Sequence, residues 1–132
     1  MPTTTLKGLG DELAGFVKRL PDAQTHLLSG AAVTVAEMVH EVAPIVSGAY
    51  VSSEGVSGAG GKAVAGGFAP LTPSVVRGAV GDGTRAEVGN EARHAPLVEK
   101  RHQPHAAGVA ALEAKKVEIG AEAFEIATGD RR

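Results

Sequence analysis

From Gly55 to Pro73 the chain is largely glycine, alanine, serine and proline, and this segment separates two stretches that repeat with a helical period. Glycine and proline both oppose helix, and a structureless loop of that length is uncommon inside a compact domain unless it has a role. The chain is therefore expected to divide into helices before this segment, a helix after it, and something of shorter period around it. Val56, Val64, Phe68 and Leu71, with Lys62 among them, have little of their own chain to bury against. The segment reads as a flexible arm over about residues 55–73, ordering against a neighbouring subunit through Val56, Lys62, Val64, Phe68 and Leu71. Within it, Lys62-Ala63-Val64-Ala65 has the pattern of a short strand.

Ahead of the arm, Leu9, Leu13, Phe16, Val17 and Leu20 lie on one face of a helix over about 9–20. Two roles fit it: packing on a core, or docking into a partner's groove. Pro21-Asp22 is expected to end it, with Asp22 as N-cap of a second helix reaching Ala43 before Pro44. Leu28, Ala31, Val35, Met38, Val39 and Val42 make that helix the central core element. The period shortens over Ala49–Val56, Val75–Val80 and Arg85–Asn90, which read as strands, with a tight turn at Gly81-Asp82-Gly83-Thr84. Residues 91–100 read as a short helical turn. Val109, Leu112, Ile119, Ala123 and Ile126 mark a last helix over about 104–127, with Val117 and Phe124 widening its face and a frayed tail at 129–132. The expected fold is α+β in one domain, residues 1–132. It has two N-terminal helices, a small antiparallel sheet with a long Gly-rich arm, and a C-terminal helix packed on the sheet.

The core material is thin. Phe16, Tyr50, Phe68 and Phe124 are the aromatic residues of a 132-residue chain that also holds 18 glycines and 7 prolines. A core of alanine and valine buries less area per residue than an aromatic one, so help from neighbouring subunits is expected. The formal net charge of −2 argues against a dedicated nucleic-acid binder, which needs a basic field. The lack of cysteine excludes disulfides, thiolate metal sites and a cysteine nucleophile. No secretory signal is expected at Met1-Pro2-Thr3-Thr4-Thr5, and no apolar run is long enough to cross a membrane.

Chemistry is sparse. Gly55–Gly61 followed by Lys62-Ala63 departs from a phosphate-binding loop. His94, His102 and His105 stand near Glu91 and Glu99, but their spacing matches no standard zinc set, so they read as polar or subunit-contact histidines, the latter with pH sensitivity. The serines lack a nucleophile elbow, and the carboxylates of the last helix sit beside Lys115 and Lys116 as a solvated face. No metal, cofactor or catalytic residue is assigned.

Three blocks carry a family resemblance. Leu6-Lys7-Gly8-Leu9-Gly10-Asp11-Glu12-Leu13 with Leu20-Pro21-Asp22 resembles the opening of the small neck and tail-component proteins of long-tailed bacteriophages. Val42-Ala43-Pro44-Ile45-Val46-Ser47-Gly48-Ala49-Tyr50 resembles that family's central signature. Ala86-Glu87-Val88-Gly89 with Ala92-Arg93-His94-Ala95-Pro96-Leu97-Val98-Glu99 resembles its third. His94 stands where the family usually has tyrosine, and Lys100-Arg101-His102 replaces a Gly-Thr pair. The family-signature positions are Pro44, Ser47, Gly48, Tyr50, Gly89, His94, Pro96 and Glu99. The resemblance implies a non-enzymatic virion protein of the head–tail neck, assembled in the host cytoplasm. It would form a homo-oligomeric ring between the portal or connector complex and the tail-tube or terminator proteins. DNA would pass through its channel without sequence-specific binding. Two alternatives stand beside it: a tail terminator capping the tube, and a small cytoplasmic enzyme or toxin-like domain.

Overall fold

The computed structural model describes residues 7–43 and 48–129. It is an α+β fold. Its elements are α1 (Lys7–Val42), α2 (Ala49–Ser52), β1 (Glu54–Gly58), β2 (Gly61–Val64), α3 (Pro73–Val80), β3 (Ala86–Asn90), α4 (Ala95–His102) and α5 (Pro104–Thr128). The strands form one antiparallel sheet in the order β2-β1-β3, with Val56 opposite both Ala63 and Val88.

The two expected N-terminal helices are one. Pro21 lies inside α1, and Asp22 caps nothing. Proline removes a backbone bond and opposes a helix interior by ~3 kcal/mol, yet the chain on both sides of it is held to α5. Phe16 and Ala23 pack with Ala123, Ile126 and Ala127, and Arg19 Nε donates to the Ala127 carbonyl at 2.9 Å. Tertiary packing outweighs the local break. The expected end before Pro44 agrees with the last helical residue, Val42; Pro44 itself lies outside the described residues.

The sheet has the expected three antiparallel strands but different members. Residues 49–52 are a helical turn, and the strand starts only at Glu54. Val75–Val80, read as a strand from its valines, is α3. Its start is signalled by Thr72, whose Oγ1 accepts from Val75 N at 3.4 Å, and by Pro73 in the first turn. The spacing of Val76, Ala79 and Val80 then puts all three in the core. The turn at 81–84 accordingly joins a helix to β3 instead of closing a hairpin.

The first half of the arm is no arm. Residues 54–64 form the β1–β2 hairpin, and its central position, Val56, is fully buried with Ala32, Ala36, Val76, Ala79 and Val80. The hairpin turn lies against the end of α3, with Gly60 N donating to the Ala79 carbonyl at 3.0 Å. A Cβ at Gly60 would collide with the Gly78 carbonyl oxygen, so only glycine fits. A second cluster joins Val39 of α1 and Ala43, just past its end, to Tyr50, Val51 and Val98.

The C-terminal helix packs on α1, not on the sheet. The seam is made of small residues. A Cβ at Gly30 would lie 3.0 Å from Ile119, one at Gly108 would lie 2.8 Å from the Val35 side chain, and Ala23 meets Ala123 and Ala127. His26 Nε2 lies 2.8 Å from Glu122 Oε2 on one rim of the seam. Of the face read in the sequence for α5, Ile119 and Ala123 are buried, whereas Val109, Val117 and Phe124 are exposed; the partner of the face was not legible, because a helix stripe fits a sheet or another helix equally well.

Candidate functional site

Two features of the described surface stand out, one polar and one apolar. The polar one gathers around His105, in the first turn of α5. Its Nε2 lies 3.1 Å from Glu54 Oε2, and its Nδ1 lies 3.1 Å from Glu99 Oε1 and 3.3 Å from the Tyr50 hydroxyl. The Glu54 side chain is only 6% exposed, and its approach to Nε2 is an ion pair without hydrogen-bond alignment. Glu99 also accepts from the backbone N–H groups of His105 at 2.8 Å and Ala106 at 3.3 Å, satisfying two open donors of the helix start.

These contacts set the protonation of the cluster. The Glu54 carboxylate raises the His105 pKa above its ordinary value; burial opposes the rise and Glu99 adds to it. Burial alone would raise Glu99, but the backbone donors and the His105 ring outweigh it and hold Glu99 below the usual carboxylate range. Burial first, then Glu54 and Glu99, push the Tyr50 hydroxyl well above its ordinary value. With both ring nitrogens facing carboxylates, the His105 ring ties α5 to β1 and α4. It opens onto a cleft of about 540 Å³ whose lining includes Gly89, Asn90, Arg93 and Pro96.

The signature positions partly converge here. Tyr50 is buried, and Asn90 Nδ2 donates to its carbonyl at 2.6 Å, locking the second sequence block to the end of β3. Gly89, Pro96 and Glu99 line the same cleft. The His94 ring stands 6.4 Å from the Tyr50 ring at a 56° tilt, and its carbonyl accepts from Leu97 and Val98 N–H groups at the start of α4. Gly48 is buried with φ 79°, under the ring of Phe68. Pro44 and Ser47 lie outside the described residues. Of the three grouped histidines, only His105 enters the cluster; His102 is exposed. Glu54 and Asn90 were missed, because nothing in the local pattern links Glu54 to a histidine on the last helix. Among the described residues, no group of three or more His, Asp and Glu side chains is placed to hold a metal ion.

The arm residues scatter. Val56 belongs to the core and is unavailable to a partner, since the hairpin supplies the central strand of the sheet. Lys62 pairs with Glu91 across the sheet. Leu71 is half-buried against the first core cluster, whereas Val64 and Phe68 are 46% and 62% exposed.

The apolar feature is a groove of about 590 Å³ between α1 and α5, lined by Phe16, Val17, Leu20, Leu27, Ala123 and Phe124, among others. The face read in the sequence for residues 9–20 is thus split: Phe16 turns toward α5, while Leu13, Val17 and Leu20 stay 41–62% exposed.

No protein-family model, no curated protein and no solved structure matches this chain. Among the described residues no helix is long and apolar enough to cross a membrane.

Proposed function

We propose that this chain is a virion structural protein of the head–tail neck of a long-tailed bacteriophage, working as a ring that joins the portal or connector complex to the tail. The observation that carries the reading is the ordered set of three sequence blocks resembling that family. It is supported by where two of them lie. The second block, at Gly48 and Tyr50, and the third, from Gly89 to Glu99, are far apart in sequence yet meet around one buried tyrosine, bridged by Asn90. Residues that hold two distant segments in register act on the fold, which suits a part whose work is shape.

A near-neutral chain suits a channel through which DNA must slide, since a strongly basic lumen would hold the duplex by counterion release. The thin core and the open apolar groove suit a subunit finished by its neighbours. Localisation in purified virions tests the reading. Labelled chain found only at the neck, with DNA-filled heads and unjoined tails when the gene is deleted, is the expected result. Overlong tails would assign it to the terminator instead. Absence from the virion would overturn the proposal.

A further inference from the structure

The sheet order β2-β1-β3 leaves the outer edge of β3 without a neighbouring strand. Which backbone groups point outward there follows from the register. In an antiparallel pair, opposed residues alternate between exchanging two backbone bonds and exchanging none. Ala65 N donates to the Glu54 carbonyl at 2.9 Å, and Glu91 N donates to the Ser53 carbonyl at 3.4 Å. Glu54, Val56 and Gly58 therefore turn their backbone groups to β2, while Ser53, Gly55 and Ser57 turn theirs to β3. Gly89 stands opposite Gly55 and Glu87 opposite Ser57, so the N–H and C=O groups of Ala86, Val88 and Asn90 point away from the sheet. Among the described residues these backbone groups have no hydrogen-bond partner.

The edge is also unguarded, and the space beside it is hollow. Exposed sheet edges are commonly blunted by lysine, proline or a bulge. β2 has Lys62, but β3 has neither lysine nor proline, and its register with β1 runs unbroken from 86 to 90. The side chains of Ala86 and Val88 lie on the core side of the sheet. There they line a cavity of about 220 Å³ with Leu28, Ala31 and Val35 of α1 and Leu112 of α5. Val88 and Asn90 also line the cleft of about 540 Å³ that holds Tyr50, Glu99 and His105. The two hollows meet at Val88. A strand ~4.8 Å outside β3 would have aliphatic space beside Ala86 and polar space beside Asn90.

The ends of this chain cannot reach that place. Leu28 lies about 30 Å of helix from Lys7 at ~1.5 Å per residue, and residues 1–6 fully extended span at most ~20 Å. Leu112 lies about 25 Å of helix from Gly129, and residues 130–132 span ~10 Å. A second copy fits poorly. Its β3, paired antiparallel about Val88, would set the Asn90 amide opposite Ala86, at the aliphatic cavity. Its β2 turns outward Lys62 and Val64, and Lys62 is already paired with Glu91.

We propose that the outer edge of β3 takes an extended segment of a different polypeptide as a fourth strand. An aliphatic side chain opposite Ala86 fills the cavity, and a polar one opposite Asn90 faces the cleft. The backbone ladder supplies affinity and the two hollows supply specificity. The site goes beyond the neck reading and does not rest on it; absence of the chain from virions would leave it untouched.

Hydrogen exchange of the full-length protein, read amide by amide by NMR, tests the site. The probe is a capped heptapeptide in which glutamine, valine and leucine, in that order, alternate with threonine; antiparallel to β3, it sets leucine opposite Ala86. In the free protein the Val88 and Asn90 amides should exchange quickly, and those of Glu87 and Gly89 slowly. Saturating peptide should slow Val88 and Asn90 at least tenfold. The same peptide N-methylated at valine and leucine should bind at least tenfold more weakly. So should Ala86→Pro, which removes an outward N–H and no bond of the existing sheet. Should circular dichroism show that Ala86→Pro folds poorly, Leu112→Glu, which puts a charge at the cavity, carries the same expectation. No slowing of Val88 at millimolar peptide, or equal binding of the N-methylated peptide, would overturn the site. Protection of Val88 in the free protein would also overturn it, giving the edge to a second copy if the protection rises with protein concentration and to the chain itself if it does not.

Discussion

The sheet end and the helix end of this molecule are built to different standards. At the sheet end, Val56, Val76 and Val80 are fully buried, and the hairpin turn sits so tightly on α3 that glycines face backbone on both sides. At the helix end, α1 and α5 meet along a narrow seam of alanine, with leucine, valine and phenylalanine left bare beside it. Dense packing makes a region intolerant of added volume, whereas a bare apolar face tolerates substitution. One end is closely packed and the other leaves apolar side chains exposed.

The steepest way to break that contrast is Gly60→Ala. The added methyl would meet the Gly78 carbonyl oxygen, so the hairpin turn and the last turn of α3 would have to move apart. A loss of about 3 kcal/mol or more is expected in urea unfolding, large enough to unfold a marginal domain. A near-normal midpoint would mean that the hairpin is not docked as described. Next in size is the clamp at the junction of the two ends. His105→Gln removes the ring that faces the buried Glu54 carboxylate, at a cost of about 2 kcal/mol where His105 is protonated. The pH dependence has a definite sign. His105 is raised in the folded state, so its contribution is complete below the ordinary histidine range and is lost as pH rises through the folded value. Glu99 is lowered, so its contribution is complete above the ordinary carboxylate value and is lost as pH falls through the folded one. The protein should be most stable between those ranges. Thermal melts across pH should show an alkaline decline in the unaltered chain that His105→Gln lacks.

The same contrast marks what could be read from sequence. The helix periods of α1 and α5 were legible because they depend on spacing alone, as were β2 and β3. Joining α1 across Pro21 was not, since the contacts that override proline come from Ala123, Ile126 and Ala127, about a hundred residues away. α3 was lost to the strand preference of its valines, although Thr72-Pro73 is a helix start that could have been weighed more heavily. The glycines of 55–61 were read as looseness, yet Gly58 and Gly60 are there because backbone comes too close for a side chain, which composition cannot distinguish. At the candidate site, Tyr50 and Glu99 were singled out by the resemblance. Glu54 was invisible because its importance is burial against a histidine on another element.

The finest comparison uses two glycines on one helix. Gly108 and Gly120 both weaken α5 relative to alanine by up to about 1 kcal/mol. At Gly108 a Cβ would come within 2.8 Å of the Val35 side chain and 3.0 Å of its carbonyl oxygen, so α1 would have to shift. Gly108→Ala should therefore cost about 1–2 kcal/mol net, the strain exceeding the gain in helix propensity. At Gly120 a Cβ meets nothing within 4 Å and projects where the groove is open. Gly120→Ala should raise stability by about 0.5–1 kcal/mol, read as a melting midpoint higher by roughly 2–4 °C. Equal effects at both glycines would mean that the seam and the bare face are not packed differently at all.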